Sequence, residues 1–433
     1  MNLFKGLRYA LPELAINGIE VFLRLYLLLY YTQQVGLDPK LAGLALGIAT
    51  FWDAFTDPLV GLWSDQFKAK KGRRDILFLI GAALSSVALL GLFYPFAMEQ
   101  QSAKFFYLLL GMMTLNTATT LFSVPYAAMV GDFAIREDER TKLIGWRLVF
   151  ANLGALLGIA IPGFFVLQNA QTSNLASAQL FAGMAVVVSF LTFLFIKNWP
   201  REIAKESGVD FKQQWQMQVK NLNSPHILFL ILAYLIANIG LTLNSSLALL
   251  YYRERLKLPE NQIQSILLIF FIIFSLSIPL WIVLAKGRDK IKMGALGILA
   301  LGISNCFVYV FLPPQSFVLT LLGASIIGGL LVGSYVLLES ALAEITKEND
   351  NKAGTDSLGF FYGIWKMSGK ISRGFALFFT GYIIAWVTPA QADGQTYNSD
   401  LLALFFGPGV GIFFVLAALV TFRISKKYER SFK

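Results

Sequence analysis

Two carboxylates four residues apart inside an otherwise apolar stretch, Trp52-Asp53-Ala54-Phe55-Thr56-Asp57-Pro58, are the strongest chemical signal in this sequence. Helical spacing puts residues four apart on one face, so both acids point into one space. A charge at the centre of a bilayer costs on the order of 3 kcal/mol, so a pair held there points to cation binding. The competing reading puts the acids near a helix end, in structural pairs with a neighbouring helix. Two crowded like charges also suit a proton, because ionising one opposes ionising the other. Pro58 removes an intrahelical hydrogen bond and leaves the Ala54 carbonyl as a further potential oxygen ligand.

A second pattern precedes it. Glu13, Asn17, Glu20 and Arg24 recur at spacings of four, three and four, which makes one polar stripe along a helix face. Glu20 and Arg24 are spaced to form an ion pair with each other. Alternatively Arg24, together with Arg147, reads a negative group on a bound molecule, since a guanidinium grips carboxylate, sulfonate or phosphate as a fork. The sequence leaves both readings open.

The elements that must position these groups follow from composition. Of 433 residues 56% are hydrophobic and only 14% charged, which places the chain among polytopic membrane proteins. About twelve apolar spans recur, near 9–31, 41–65, 74–97, 104–132, 140–166, 176–197, 224–250, 260–284, 291–312, 316–344, 356–387 and 400–424. The expected fold is therefore all-α, with twelve transmembrane helices in two six-helix bundles. A polar connection separates residues 1–197 from 224–433, leaving 198–223 as a cytoplasmic linker and a short cytoplasmic tail at the end.

The net charge of +10 is explained by its placement on alternate loops rather than by nucleic acid. Lys68, Lys70, Lys71, Arg73 and Arg74, then Arg136, Arg140 and Lys142, then Lys286, Arg288, Lys290 and Lys292 all fall on one side, so both termini are expected in the cytoplasm. The start Met1-Asn2-Leu3-Phe4-Lys5 runs into a full span with no small-residue cleavage site, so it does not read as a removable signal. The single cysteine, Cys306, excludes an internal disulfide, and with only His226 no paired-histidine zinc motif exists. No Walker loop is present. An intramembrane aspartyl protease would draw its acids from facing helices, whereas Asp53 and Asp57 share one. No enzyme and no cofactor are expected, and the lipid bilayer and a small molecule are the expected partners of a monomer.

A resemblance rests on further residues. Tyr9-Ala10-Leu11-Pro12-Glu13, Tyr30-Tyr31-Thr32 with Val35-Gly36-Leu37, the Asp53 and Asp57 segment with Gly61, and Asp65 with Gly72-Arg73-Arg74 occur in sequence. Val124-Pro125-Tyr126, Asp138-Glu139-Arg140-Thr141, Arg147, and Glu344 with Gly354 and Gly359 follow. In order and spacing they resemble the glycoside-pentoside-hexuronide:cation symporter family, the melibiose permease-like branch of the major facilitator superfamily. The resemblance implies secondary active transport in a bacterial inner membrane: symport of a sugar, glycoside or uronide with sodium or a proton, by alternating access between two halves. Transport of a lysolipid or another amphiphile is the alternative it leaves.

By the same resemblance Asp53 and Asp57 hold the coupling cation, and Thr120 adds a hydroxyl oxygen. Ser123 stands where relatives carry an acid, which puts sodium specificity in question. Lys370 matches a lysine that competes with the cation for the carboxylates, and Lys366 and Arg373 share its helix face. Arg147 matches a substrate-site arginine, and Asn17 takes the place of an acidic substrate ligand. Tyr26, Tyr335 and Trp365 are candidate sugar-stacking rings, Tyr335 by family match, and Glu339 is a candidate partner for Lys366 or Lys370. Asp65, Arg73, Arg74, Asp138, Glu139 and Arg140 are expected to pair between loops as a cytoplasmic gate, against the simpler reading of solvated loop charge.

Overall fold

A computed structural model describes residues 3–431 apart from 95–97, 134–136, 169–171, 201–224, 287, 354–357 and 389–396. All regular elements among the described residues are helices. The first rod, α1, is built from Leu3–Ala10, Pro12–Phe22 and two stretches wound as π-helix, Leu23–Leu27 and Tyr30–Gln34. Next come α2 (Pro39–Lys71), α3 (Asp75–Leu92), α4 (Gln101–Asp132), α5 (Glu137–Gln168) and α6 (Ser173–Ile196). The second series is α7 (Pro225–Leu250, continued by the π-helical Tyr251–Arg255), α8 (Glu260–Ala285), α9 (Lys290–Phe311), α10 (Phe317–Ala353) and α11 (Leu358–Val387). It ends in α12, made of Ser399–Leu404, Phe405–Gly409 and Val410–Ser431.

Among the described residues eight helices are long and apolar enough to cross a membrane: α3 to α9 and α12. The apolar run of α2 is interrupted by Asp53 and Asp57, and α1 is divided into short pieces. Large apolar side chains such as Phe55, Val87, Leu276 and Val283 are 68–69% exposed, as suits a lipid-facing surface. Several rods outrun their expected limits. Helix α2 continues to Lys71, α10 to Ala353 and α12 to Ser431, because polar residues sustain a helix once the apolar layer has ended. In α2 the basic residues Lys68, Lys70 and Lys71 in the last turn also complement the helix dipole.

The chain divides into two compact units, Met1–Ser207 and Gly208–Lys433. The expected linker lies mostly outside the described residues. Within the first unit α1 packs on α5, α2 on α4, and α3 on both α4 and α6. Within the second, α7 packs on α11, α8 on α10, and α9 on both α10 and α12. Each contact in one unit thus has its counterpart in the other, the mark of an internal repeat.

The repeat is sharpest where the first helix of each half turns into the second. Positions 221 apart carry the same features: Tyr30 and Tyr251 open the π-helical stretches, and Pro58 and Pro279 sit inside the second helices (251 − 30 and 279 − 58 are both 221). Val35 N donates to Tyr30 O and Leu37 N to Tyr31 O, and Leu256 and Leu258 donate likewise to Tyr251 and Tyr252. Tyr30 Oη donates to Phe93 O at 3.3 Å, and its counterpart Tyr251 Oη donates to Tyr309 O. Both turns need a left-handed residue, supplied by Gly36 at φ 70° and by Lys257 at φ 52°. A Cβ in that region costs about 1–2 kcal/mol, partly offset by the greater freedom glycine loses on folding. Lys257→Gly is therefore expected to stabilise the protein by about 0.5–1 kcal/mol, read as a higher unfolding temperature in detergent. A lowered temperature would contradict this account of the turn.

Candidate functional site

Asp53 and Asp57 lie on α2, about 21 and 27 Å along the rod from Pro39 at 1.5 Å per residue, well inside the helix. Their helix packs on α4, and polar contacts fix the register. Asn116 Nδ2 donates to Ala49 O at 2.9 Å, and Trp52 Nε1 donates to Thr117 Oγ1 at 3.0 Å. One turn on, the buried Thr120 meets both acids: its Oγ1 lies 3.1 Å from Asp53 Oδ1 and 2.8 Å from Asp57 Oδ1. A hydroxyl has one proton, so it can donate to only one carboxylate at a time. The remaining close approach of oxygen to oxygen favours a shared positive charge, and three hard oxygens suit a small monovalent cation or a proton. Ser123, half-buried, follows Thr120 by three residues on the same helix face.

A second cluster joins α1 to α5. Arg147 donates to Glu13 Oε1 through Nε at 2.7 Å and Nη2 at 2.6 Å, and Glu13 is 7% exposed. Asn17 Nδ2 donates to the other oxygen, Glu13 Oε2, at 2.8 Å. The Arg147 guanidinium also lies 4.7 Å from the centre of the Tyr126 ring, a cation–π contact, and Nη1 reaches Ala127 O at 3.5 Å. Tyr126 is itself locked to α1, for Tyr9 and Tyr126 exchange hydroxyl-to-carbonyl bonds, both 2.8 Å. The approach of α1 to α5 depends on Gly154, where a Cβ would stand 2.6 Å from Glu13 O. Further along α1, Arg24 Nη2 pairs with Glu20 Oε1 at 2.7 Å.

A third cluster closes the basic end of α2. Arg74 grips Asp132 at the end of α4 with Nε to Oδ2 at 2.7 Å and Nη2 to Oδ1 at 3.2 Å. Lys68 Nζ adds a bond to Asp132 Oδ1 at 2.7 Å, and Arg74 Nη1 donates to Ser64 Oγ at 3.3 Å. Arg73 bonds to the fully buried Asp75, and this hydrogen bond holds the guanidinium above the usual arginine range. Asp75 and Asp132, the partners of Arg73 and Arg74, are not among the acids that sequence reasoning assigns to a gate. Asp132 does leave a signal: an acid at a helix C-terminus opposes the dipole and needs a cation beside it. Glu139 is half-buried, and the side chains of Asp65, Asp138 and Arg140 lie outside the described residues.

Of the aromatic candidates, Tyr26 is 6% exposed and packed on Phe22. Trp365, 3% exposed, stacks on Tyr234 with ring centres 3.7 Å apart. The Tyr335 side chain lies outside the described residues. On α11, Lys370 and Arg373 are half-buried and Lys366 is exposed, with Glu339 of α10 within reach of the Lys366 charge.

Similarity to known proteins agrees with the helical fold. The sequence profile of the family described as MFS/sugar transport protein matches residues 8–426. The uncharacterized symporter YnaJ of Bacillus subtilis (strain 168) is 23% identical over 431 residues, 94% of this chain and 89% of the relative. Sodium-dependent lysophosphatidylcholine symporter 1 of Mus musculus is 22% identical over 413 residues, 85% of this chain and 74% of the relative. Among solved structures, a D-xylose-proton symporter superposes with a TM-score of 0.69 at 13% identity, over 97% of this chain and 95% of the other.

Proposed function

From the premise that this chain belongs to the MFS/sugar transport protein family, we propose that it is a cation-coupled symporter of a sugar, glycoside or uronide, working by alternating access. The chain is an integral membrane protein of the major facilitator fold. Its setting is the bacterial inner membrane with both termini cytoplasmic. Sodium or a proton is held by Asp53, Asp57 and Thr120, with Ser123 at the edge of the site and Lys370 as the coupling residue. The observation that carries this reading is the single Thr120 hydroxyl lying against both carboxylates. Arg147, Asn17 and Glu20 with Arg24 form the polar face of α1 and α5 that meets the substrate.

A second reading, symport of a lysolipid or similar amphiphile, is favoured by the relative in Mus musculus named for lysophosphatidylcholine. One experiment addresses both. The purified chain in proteoliposomes is offered glycosides, uronides and lysolipids under an imposed sodium or proton gradient. One positive charge moving down 100 mV releases about 2.3 kcal/mol, enough for roughly fifty-fold accumulation of a neutral solute. Accumulation of that order, lost when an ionophore dissipates the gradient, is expected for one class. Uptake that only equilibrates, whatever the gradient, would overturn the proposal.

A further inference from the structure

The first helix of the amino-terminal half carries an ion pair that the cation site does not use. Arg24 and Glu20 meet at 2.7 Å, with side chains 27% and 43% exposed, while Ile19, Val21, Phe22 and Leu25 around them are buried. Arg24 lies ten residues from Gln34 and fourteen from Ala10, or roughly 15 and 21 Å along the rod. Charge exposed this far from either end of the rod is costly to place against hydrocarbon, so the pair is expected to face water. An exposed pair at this spacing adds little to helix stability, so stability does not account for two charges placed there.

The backbone supplies an independent observation. Leu23–Leu27, which contains Arg24, is wound as π-helix. The matching stretch of α7, 221 residues on at 244–248, is ordinary α-helix. The other π-helical stretch, Tyr30–Gln34, recurs in the second half as Tyr251–Arg255 and so belongs to the shared fold. The bulge at Arg24 is peculiar to one half, and such bulges gather at functional sites because they re-aim side chains.

We propose that Arg24 determines specificity for an anionic group on the transported molecule, a carboxylate, sulfonate or phosphate, and that Glu20 is the resident counter-ion which that group replaces. The inference rests on the symporter reading and deepens it. Without substrate, Glu20 neutralises the guanidinium; an arriving oxyanion matches the planar fork and takes Glu20's place. A neutral sugar offers no such exchange and leaves the pair closed.

The test uses the full chain with four matched probe pairs: methyl glucuronide and methyl glucoside, glycerol 3-phosphate and glycerol, 2,3-dihydroxypropane-1-sulfonate and glycerol, lysophosphatidate and monoacylglycerol. Binding is read by thermal shift and by uptake into proteoliposomes. Wild-type protein is expected to prefer at least one anion about tenfold over its neutral counterpart, and Arg24→Gln to bring that ratio close to one. Arg24→Lys keeps the charge without the fork and should retain part of the preference, while Glu20→Gln removes the competitor and should tighten anion binding. The exchanged variant Glu20→Arg with Arg24→Glu keeps an ion pair but moves the guanidinium by one turn, and should lose the preference although the pair survives. If wild-type protein binds no anion of the set, favours the neutral member throughout, or keeps its preference after Arg24→Gln, the proposal is overturned. Failure of the coupling reading would look different: anion preference would persist while uptake ignored the cation gradient.

Discussion

Asp57→Asn is expected to reduce concentrative uptake from roughly fifty-fold at 100 mV to simple equilibration, while exchange of substrate across the membrane continues. The substitution preserves size and shape but replaces a charged acceptor with an amide, so one of the three converging oxygens loses its charge. Thr120 Oγ1 at 2.8 Å would then meet either a neutral carbonyl or an amide donor, and the cation would lose its main electrostatic anchor. The proposed substrate contacts on α1 and α5 are untouched, which is why facilitated exchange should survive. The measurement is uptake into proteoliposomes with and without the gradient. Concentrative transport that persisted at wild-type levels would remove Asp57 from the coupling site.

Why the proposed cation site belongs to one half follows from the repeat. The 221-residue offset that aligns Pro58 with Pro279 brings Asp53 to Phe274 and Asp57 to Ile278. Phe274 and Ile278 pack against the cluster of Trp281, Ala285 and Leu337, in which the Trp281 indole Nε1 donates to Gly329 O at 2.7 Å. The two second helices share a proline and a partner helix, yet one presents oxygens where the other presents hydrocarbon. The two halves share the scaffold and differ at two positions of one face, which carry carboxylates in one half and hydrocarbon in the other.

Much of this architecture is legible in the amino-acid sequence. Apolar runs mark the number and order of the helices, because a span must bury its backbone polarity regardless of tertiary context. The α2 acids are readable from spacing alone, and the family resemblance points to Thr120 and Arg147. The roles of Asp132 and Asp75 are not readable in this way, because they depend on which cationic side chain folds back on them, as Arg74 does onto Asp132. The π-helical stretches are equally hidden, since the phase shift of about 100° that one extra residue introduces falls at a single point and no residue type marks it. For the repeat, the basic loops are a weaker signature than the aromatic turns: Tyr-Tyr followed by Val-Gly-Leu in one half returns as Tyr-Tyr followed by Leu-Lys-Leu in the other. A lysine where the turn wants glycine obscures the match.

Glu13→Gln should be strongly destabilising, with a loss of about 3–5 kcal/mol on unfolding, because it leaves the charge of Arg147 without its carboxylate. Glu13 is 7% exposed and the Arg147 side chain 21%, so water screens the pair weakly. The Tyr126 ring face returns only a fraction, about 0.5–2 kcal/mol for a cation–π contact. Arg147→Gln should cost a similar amount, since it strands the carboxylate between α1 and α5. The double variant should be destabilised by clearly less than the sum, because two amides of that length can hydrogen-bond to each other and no buried charge remains. The pair therefore does not hold the fold together by being ionic; it makes the fold intolerant of losing either member. Unfolding of the two single variants and the double variant in detergent decides it, and strictly additive losses would show that Glu13 and Arg147 act independently. Substrate binding supplies a further readout: Asn17 donates to Glu13 Oε2, so Glu13→Gln should weaken substrate affinity even where the protein stays folded, whereas a purely architectural pair would leave it unchanged.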